Sequence, residues 1–312
     1  MRQKICFLFL YIIANLAAIA QQDPQFSFNR YTQLTVNPGF AGNDGLVNGI
    51  ILNRYQWDGI AGAPRTLVFS AGAATTLFGL NSGVGLNVIS DELGFQKNIS
   101  VNLDYAYRKK TGIGDLGIGT SLGFYNISVN GDWKMPEGDY WVPGDDKFPQ
   151  AESSQLALDL GIGVFLRSDD YFAGASVTHL NQASIILGEV ARTFLARHYY
   201  LSAGYNIGLP NPLFDLRPAV YFKTDMVAYQ ADFAADLVYK DRLSAGLNYR
   251  INDAVSVLVS FEMNNGLRIG YCYDLVTSAL GQFTGGSHEI FLNYSIDLGK
   301  NRNKKYKSVR YL

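Results

Sequence analysis

The sequence predicts an all-β chain: a transmembrane antiparallel β-barrel of about 14 strands, with an N-terminal segment packed on or in the barrel. Three observations carry this reading. The first is strict alternation. In Leu267–Leu298, the side holding Leu267, Ile269, Tyr271 and Tyr273 opposes Arg268, Gly270, Cys272 and Asp274; after a loop, Ile290, Leu292, Tyr294, Ile296 and Leu298 oppose Asn293, Ser295 and Asp297. Period two gives strands with one apolar and one polar face. The second is the parity of the connections. If the chain starts and ends in the periplasm, its three longest connections all point outward, and the inward ones are as short as 109–114, 167–170, 240–242 and 263–266. Membrane barrels obey that rule and soluble sandwiches have no reason to. The third is the even strand count that bacterial single-chain barrels have.

The chain opens with a basic n-region at Arg2 and Lys4, an apolar run over Ile5–Leu16 and a small-residue site at Ala18-Ile19-Ala20. This predicts a secretory signal peptide over residues 1–20, cleaved after Ala20. Cys6 lies inside the apolar run, so only Cys272 persists in the mature chain, which excludes an internal disulfide and makes a cysteine metal site implausible. No later stretch offers 18 apolar residues, so no transmembrane helix is expected. Residues 21–44 carry Phe26, Phe28, Tyr31, Pro38 and Phe40 without steady alternation and are expected to pack against or inside the barrel. The barrel is placed at 45–299, with strands near 46–55, 65–74, 82–90, 98–108, 115–128, 155–166, 171–179, 198–206, 214–224, 228–239, 243–250, 255–262, 267–273 and 288–298. Most have the roughly 9–11 residues that cross a bilayer when tilted. Residues 300–312 form a basic tail in the periplasm.

Net charge near zero argues against a nucleic-acid partner. The G-x-G-x-x-G match at Gly112–Gly117 enters a strand rather than a helix, so it is no nucleotide site. His179, His198 and His288 are scattered at strand ends without metal-ligand spacing. Ser287-His288-Glu289 alternates across a strand and cannot converge as a triad. No catalytic residue, metal or cofactor is expected. The inward positions Asp104, Arg108, Asp232, Asp236, Arg250, Glu262, Arg268 and Asp297 predict a polar lumen with paired charges. All tryptophans fall in outward connections: Trp57, beside Asp58, and Trp133 and Trp141 in an acidic loop. They are candidate partner anchors, since exposed Trp suits interfaces, and equally candidates for the membrane interface.

Asn37-Pro-Gly-Phe-Ala-Gly42, followed by Asn53-Arg-Tyr-Gln-Trp-Asp-Gly-Ile-Ala-Gly-Ala-Pro64, resembles the PorP/SprF family of outer-membrane proteins. Further matching boxes are Gly83–Asp91 with Gly94, Arg197–Tyr200, Leu237–Asp241, Leu267–Asp274 and Gly286–Glu289, so the resemblance spans essentially the whole mature chain. It implies a component of the type IX secretion system of Bacteroidota. Such a protein is associated with secreting large surface proteins, including gliding adhesins, and with holding them at the surface through their C-terminal domains. Its implied partners are outer-membrane lipid, the secreted protein and periplasmic lipoproteins of the machinery. The tail residues Lys304, Lys305, Lys307 and Arg310 are candidates for the last of these. The alternatives are a diffusion channel or transporter for small apolar solutes and an outer-membrane enzyme.

Overall fold

The computed structural model describes residues 23–130, 153–187 and 191–296. The strands are β1 (Val47–Tyr55), β2 (Arg65–Leu77), β3 (Leu80–Leu93), β4 (Gln96–Thr111), β5 (Gly114–Val129), β6 (Ser153–Arg167), β7 (Tyr171–Thr178), β8 (Ser184–Leu187), β9 (Ala191–Phe194), β10 (His198–Tyr205), β11 (Ile207–Gly208), β12 (Phe214–Thr224), β13 (Tyr229–Tyr239), β14 (Leu243–Arg250), β15 (Ala254–Glu262), β16 (Leu267–Val276) and β17 (Ser287–Ile296). Fourteen of them, β1–β7, β10 and β12–β17, are the staves of a closed barrel. Each is antiparallel to its neighbours. The β10–β12 pairing joins the two halves, and β1 against β17 closes the ring with Val47 opposite Ile296 and Tyr55 opposite His288.

All fourteen expected strands are present. β2 to β6 are longer than alternation alone suggested, because tight hairpins let the ladder run on. Leu77 still pairs with Leu80 across Phe78-Gly79, both with positive φ, the backbone of a two-residue hairpin. Two features were not foreseen. β8 and β9 form a separate hairpin in the β7–β10 connection, and β11 adds two residues to the edge of β12. All three are four residues or fewer, too short for period two to register.

The burial pattern inverts that of a soluble sandwich. Leu103 (61% exposed), Leu247 (59%) and Val257 (51%) stand outward, while Arg54, Arg250, Asp232 and Glu289 are each at most 1% exposed in the interior. An outward apolar band around a polar interior is the signature of a barrel in lipid. Among the described residues no helix is long and apolar enough to cross a membrane, so the crossing falls to strands.

The interior is occupied by the chain's own N-terminal segment. Asp23 lies at the end bearing the longer connections, which is the outer end by the loop-length rule. From there the segment descends through the lumen to β1 at the inward end. A single helical turn, α1 (Gln33–Val36), and a 3-10 turn (Pro38–Phe40) shape its middle. Asn37 fixes the bend: its Oδ1 accepts from Gly39 N at 3.0 Å, and its Nδ2 donates to the Val164 carbonyl at 3.0 Å. Phe40 meets Phe165 edge-on at 5.0 Å.

Glycines in the wall make room for this backbone. A Cβ on Gly119 would lie 2.4 Å from the Pro38 carbonyl carbon, and one on Gly83 would lie 2.0 Å from the Ala41 oxygen. Gly119→Val should therefore displace residues 38–42 while the barrel still closes, at a cost of about 1–3 kcal/mol. The check is faster proteolysis within 23–46, with Gly49→Ala as control, whose Cβ meets nothing closer than 3.9 Å.

Candidate functional site

The segment is locked by a buried clasp near the outer end. Arg54 projects inward from β1, Asp274 from β16 and Glu289 from β17. The Arg54 guanidinium pairs with Asp274 at 2.6 Å and with Glu289 at 2.9 Å. The two Glu289 oxygens accept the backbone N–H groups of Ser27 and Phe28 at 2.9 and 2.8 Å. Ser27 Oγ donates to Asp274 at 2.7 Å. Arg250 extends the clasp across β13 and β14, reaching Asp232 at 3.2 Å, Asp253 at 3.3 Å and Asp274 at 3.5 Å. Phe28 and Tyr31 pack on Phe291 just below, at 4.5 and 4.7 Å.

Elsewhere in the lumen charges are mostly paired, while Asp104 is held by a hydrogen bond rather than an ion pair. Arg30 of the segment meets Asp236 at 3.1 Å, Arg268 bonds Glu262, and Asp104 accepts from Asn87 at 2.5 Å. Arg108 donates to the Ala41 carbonyl and to Asn43 near the inward end. The expected polar lumen is present in its described part, and Asp297 lies outside the described residues.

A second cluster anchors the start of the segment. Asp23 Oδ1 lies 2.9 Å from His179 Nε2, and His179 Nδ1 lies 2.9 Å from Asp159. Tyr200 donates to Asp23 Oδ2 at 2.6 Å, and Lys223 donates to the Asp23 carbonyl at 2.8 Å. His198 Nδ1 is 3.0 Å from the Ala196 carbonyl, while its Nε2 accepts the Asp23 N–H at 3.3 Å. His179 sits in the β7–β10 connection. Burial opposes its charged form, but the Asp23 charge and the hydrogen bonds to Asp159 and Asp23 outweigh burial and hold its pKa up at about 10. Sequence reasoning set these histidines apart. Their adjacency was available from topology, since they flank one connection between two neighbouring antiparallel strands, but Asp23 arrives from a segment whose path has no sequence signal.

Above these clusters lies the outer rim. The loop after β1 folds back on the connection before β17: Asp58 N donates to the Gly286 carbonyl at 2.7 Å, and the Asp58 carbonyl accepts from Gly285 N at 2.8 Å. Trp57 takes positive φ here, its N–H donates to Ser287 Oγ at 3.1 Å, and its ring is half-buried. The Asp58 side chain is exposed. Trp57 lines a recess of about 490 Å³ at the mouth, floored by Pro24 and Gln25 and walled by Tyr229, Arg250 and Asp253. The same loop borders a second recess of about 470 Å³ with Glu92 and Gly94. Of the candidate anchors, Trp57 and Asp58 are thus brought together at the rim, while Trp133, Trp141, Lys304, Lys305, Lys307 and Arg310 lie outside the described residues.

Removing one partner of the clasp should free the segment before the barrel. Glu289→Gln replaces an acceptor of two backbone N–H groups and leaves Arg54 half-paired, a loss of about 3–5 kcal/mol for a broken buried pair. Early protection of residues 23–30 in hydrogen exchange should disappear while the folded band in electrophoresis persists.

Several solved outer-membrane proteins have a similar chain course. The Acinetobacter baumannii outer membrane protein Omp33 aligns at 6% identity with a TM-score of 0.47, covering 81% of this chain and 100% of its own. The Ralstonia pickettii toluene transporter TbuX aligns at 11% identity and 0.48, covering 89% and 96%. A Pseudomonas aeruginosa FadL homologue aligns at 10% and 0.44, covering 81% and 89%. No curated protein matches the sequence. The family model for the type IX secretion system membrane protein PorP/SprF matches residues 18–294, which takes in every described strand except the last two residues of β17; the chain belongs to that family.

Proposed function

We propose that this type IX secretion component is a non-catalytic outer-membrane scaffold. It holds large secreted proteins, gliding adhesins among them, at the cell surface through their C-terminal domains. The observation that carries this reading is the filled lumen. Residues 23–46 run from the outer mouth to the inward end, and they bond along the way with Arg54, Asp274, Glu289, Arg108 and Lys223. A conduit for small apolar solutes needs a continuous apolar path, and this interior is lined with paired charge. The outer rim is then the working surface, with Trp57 as anchor and Asp58 as a polar neighbour; Trp133 and Trp141, outside the described residues, are the further candidate anchors. The Cys272 thiol is buried beside the clasp and donates to Asp274 at 3.2 Å.

Trp57→Ala tests the rim. An aromatic anchor is worth about 2 kcal/mol or more on truncation, so client retention at the surface should fall roughly 30-fold while the barrel assembles normally. Normal retention removes the first outward loop from the site. Liposome flux separates the scaffold from the channel: a scaffold passes no apolar solute, and measurable flux through the intact protein refutes the filled-lumen argument.

On the inward side, the reading assigns the basic run Lys300, Arg302, Lys304, Lys305, Lys307 and Arg310 to an acidic periplasmic lipoprotein of the machinery. Such a tail acts mainly on association rate, and salt weakens it over a Debye length of about 8 Å. Reversing the six charges to Glu should leave the barrel folded and heat-modifiable but reduce recovery of periplasmic partners. Unchanged recovery and unchanged salt sensitivity make the run a solvated end only.

A further inference from the structure

We propose that Asp23, His179 and His198 bind one divalent transition-metal ion of the Zn²⁺ class, which latches the start of the lumenal segment to the barrel wall. The three residues offer one ligand atom each, and these atoms lie within 4.8 Å of one another. A tetrahedral ion with bonds near 2.0–2.1 Å needs ligand atoms about 3.3 Å apart, and His179 Nε2 already stands 2.9 Å from Asp23 Oδ1. Two imidazoles with one carboxylate suit a first-row ion of intermediate softness rather than Ca²⁺ or Mg²⁺, which prefer all-oxygen shells.

The surroundings are arranged as an outer shell around these ligands. Asp159 takes the Nδ1–H of His179 and leaves Nε2 for the ion. The Ala196 carbonyl takes the Nδ1–H of His198, whose Nδ1 also stands 3.6 Å from Asp23 Oδ2, and leaves Nε2 for the ion in place of its long 3.3 Å contact with Asp23 N. Tyr200 and Thr178 donate to Asp23 Oδ2, at 2.6 and 3.3 Å, which turns Oδ1 toward His179. Each ligand is therefore oriented through its far atom, the pattern that metal-bound histidines and carboxylates show. Lys223, the nearest competing cation, is spent on the Asp23 backbone carbonyl. A cavity of about 50 Å³ lined by Asp23, Asp159, His179 and Tyr200 adjoins the cluster, enough for a water as fourth ligand. The ion takes the place of the Nε2 proton that His179 otherwise gives to Asp23, while the Nδ1–H stays on Asp159, so binding releases one proton.

The ligands come from the segment, from the connection after β7 and from the first residue of β10. Metal binding therefore ties the segment to the outer rim and stabilises its docked state alone. The test uses the detergent-solubilised full-length protein, stripped with chelator and titrated with Co²⁺ as a spectroscopic probe and with Zn²⁺ by calorimetry. One Co²⁺ per chain should give the intense visible absorption of a four-coordinate ion and be displaced by Zn²⁺. His198→Gln and Asp23→Asn should each abolish the signal, and Asp159→Asn should weaken Zn²⁺ about 10–100-fold. His288→Gln should change nothing, since that imidazole faces Tyr271 at 2.8 Å on the exposed side. Zn²⁺ should also slow hydrogen exchange in residues 23–30. Absence of the Co²⁺ signal in the unaltered protein, its survival in a folded His179→Gln/His198→Gln double variant, or exchange indifferent to Zn²⁺ overturns the proposal.

Discussion

The barrel rests on one electrostatic constraint: a polar wall turned away from lipid has to be satisfied from within. Arg54, Arg250, Asp232, Asp274 and Glu289 are almost fully buried, and an unpaired charge in that position costs several kcal/mol even after relaxation. The wall cannot complete the pairing alone, because two acceptors on Glu289 point into the lumen. The backbone N–H groups of Ser27 and Phe28 meet them. Wall and segment are each incomplete without the other, which is why the segment needs no regular secondary structure of its own beyond one helical turn and one 3-10 turn. Its backbone is satisfied in part by wall side chains, as at Ser27, Phe28 and Asp23, and in part by its own turns.

The same constraint explains the wall's composition. Where charges face the lumen, they meet the segment's backbone and side chains alike, Glu289 taking the Ser27 and Phe28 N–H groups and Asp236 pairing with Arg30. Where the segment must touch the wall, at Pro38 and Ala41, the wall carries glycine. Large polar and absent side chains thus alternate in patches along the lumen, and both serve one chain course. On the other face the requirement is only apolar area in contact with lipid, and Leu, Val, Ile and aromatic residues meet it with little specificity. Specific information is concentrated inside.

Much of this was legible in the sequence, for a definite reason. Period two is a local signal, so the fourteen staves and the inward set Asp232, Arg250, Glu262 and Arg268 could be read directly. The PorP/SprF-like boxes were legible as text but not as a site. Arg54, Asp274, Glu289 and His198 each sit in a different box, and only closure of β1 on β17 and the path of the segment bring them around residues 23–28. That path was illegible because it depends on contacts between residues more than 150 positions apart, such as Asp23 with His179, with no periodicity to mark them. Aromatic density announced that residues 21–44 would be packed, yet not that Asp23 would lie outermost. The hairpin β8–β9 was missed because four residues are too few to show a period.

Direction matters for what the segment can do. Because Asp23 lies at the mouth and Asn43 meets Arg108 at the opposite end, this one stretch of chain contacts both rims. Spatial continuity is not coupling: a path becomes a signal only if some element on it has two arrangements that both ends bias. The clasp is poorly suited to that role, since opening it exposes several buried charges at once and the cost resists partial states. The Asp23 cluster is better suited. It sits at the end of the segment, bonds through only a few groups, and pairs its carboxylate with ionisable imidazoles whose partners can exchange. The fold thus places its densest charge pairing around Arg54 and Arg250 and its imidazole–carboxylate cluster at the outer end of the segment.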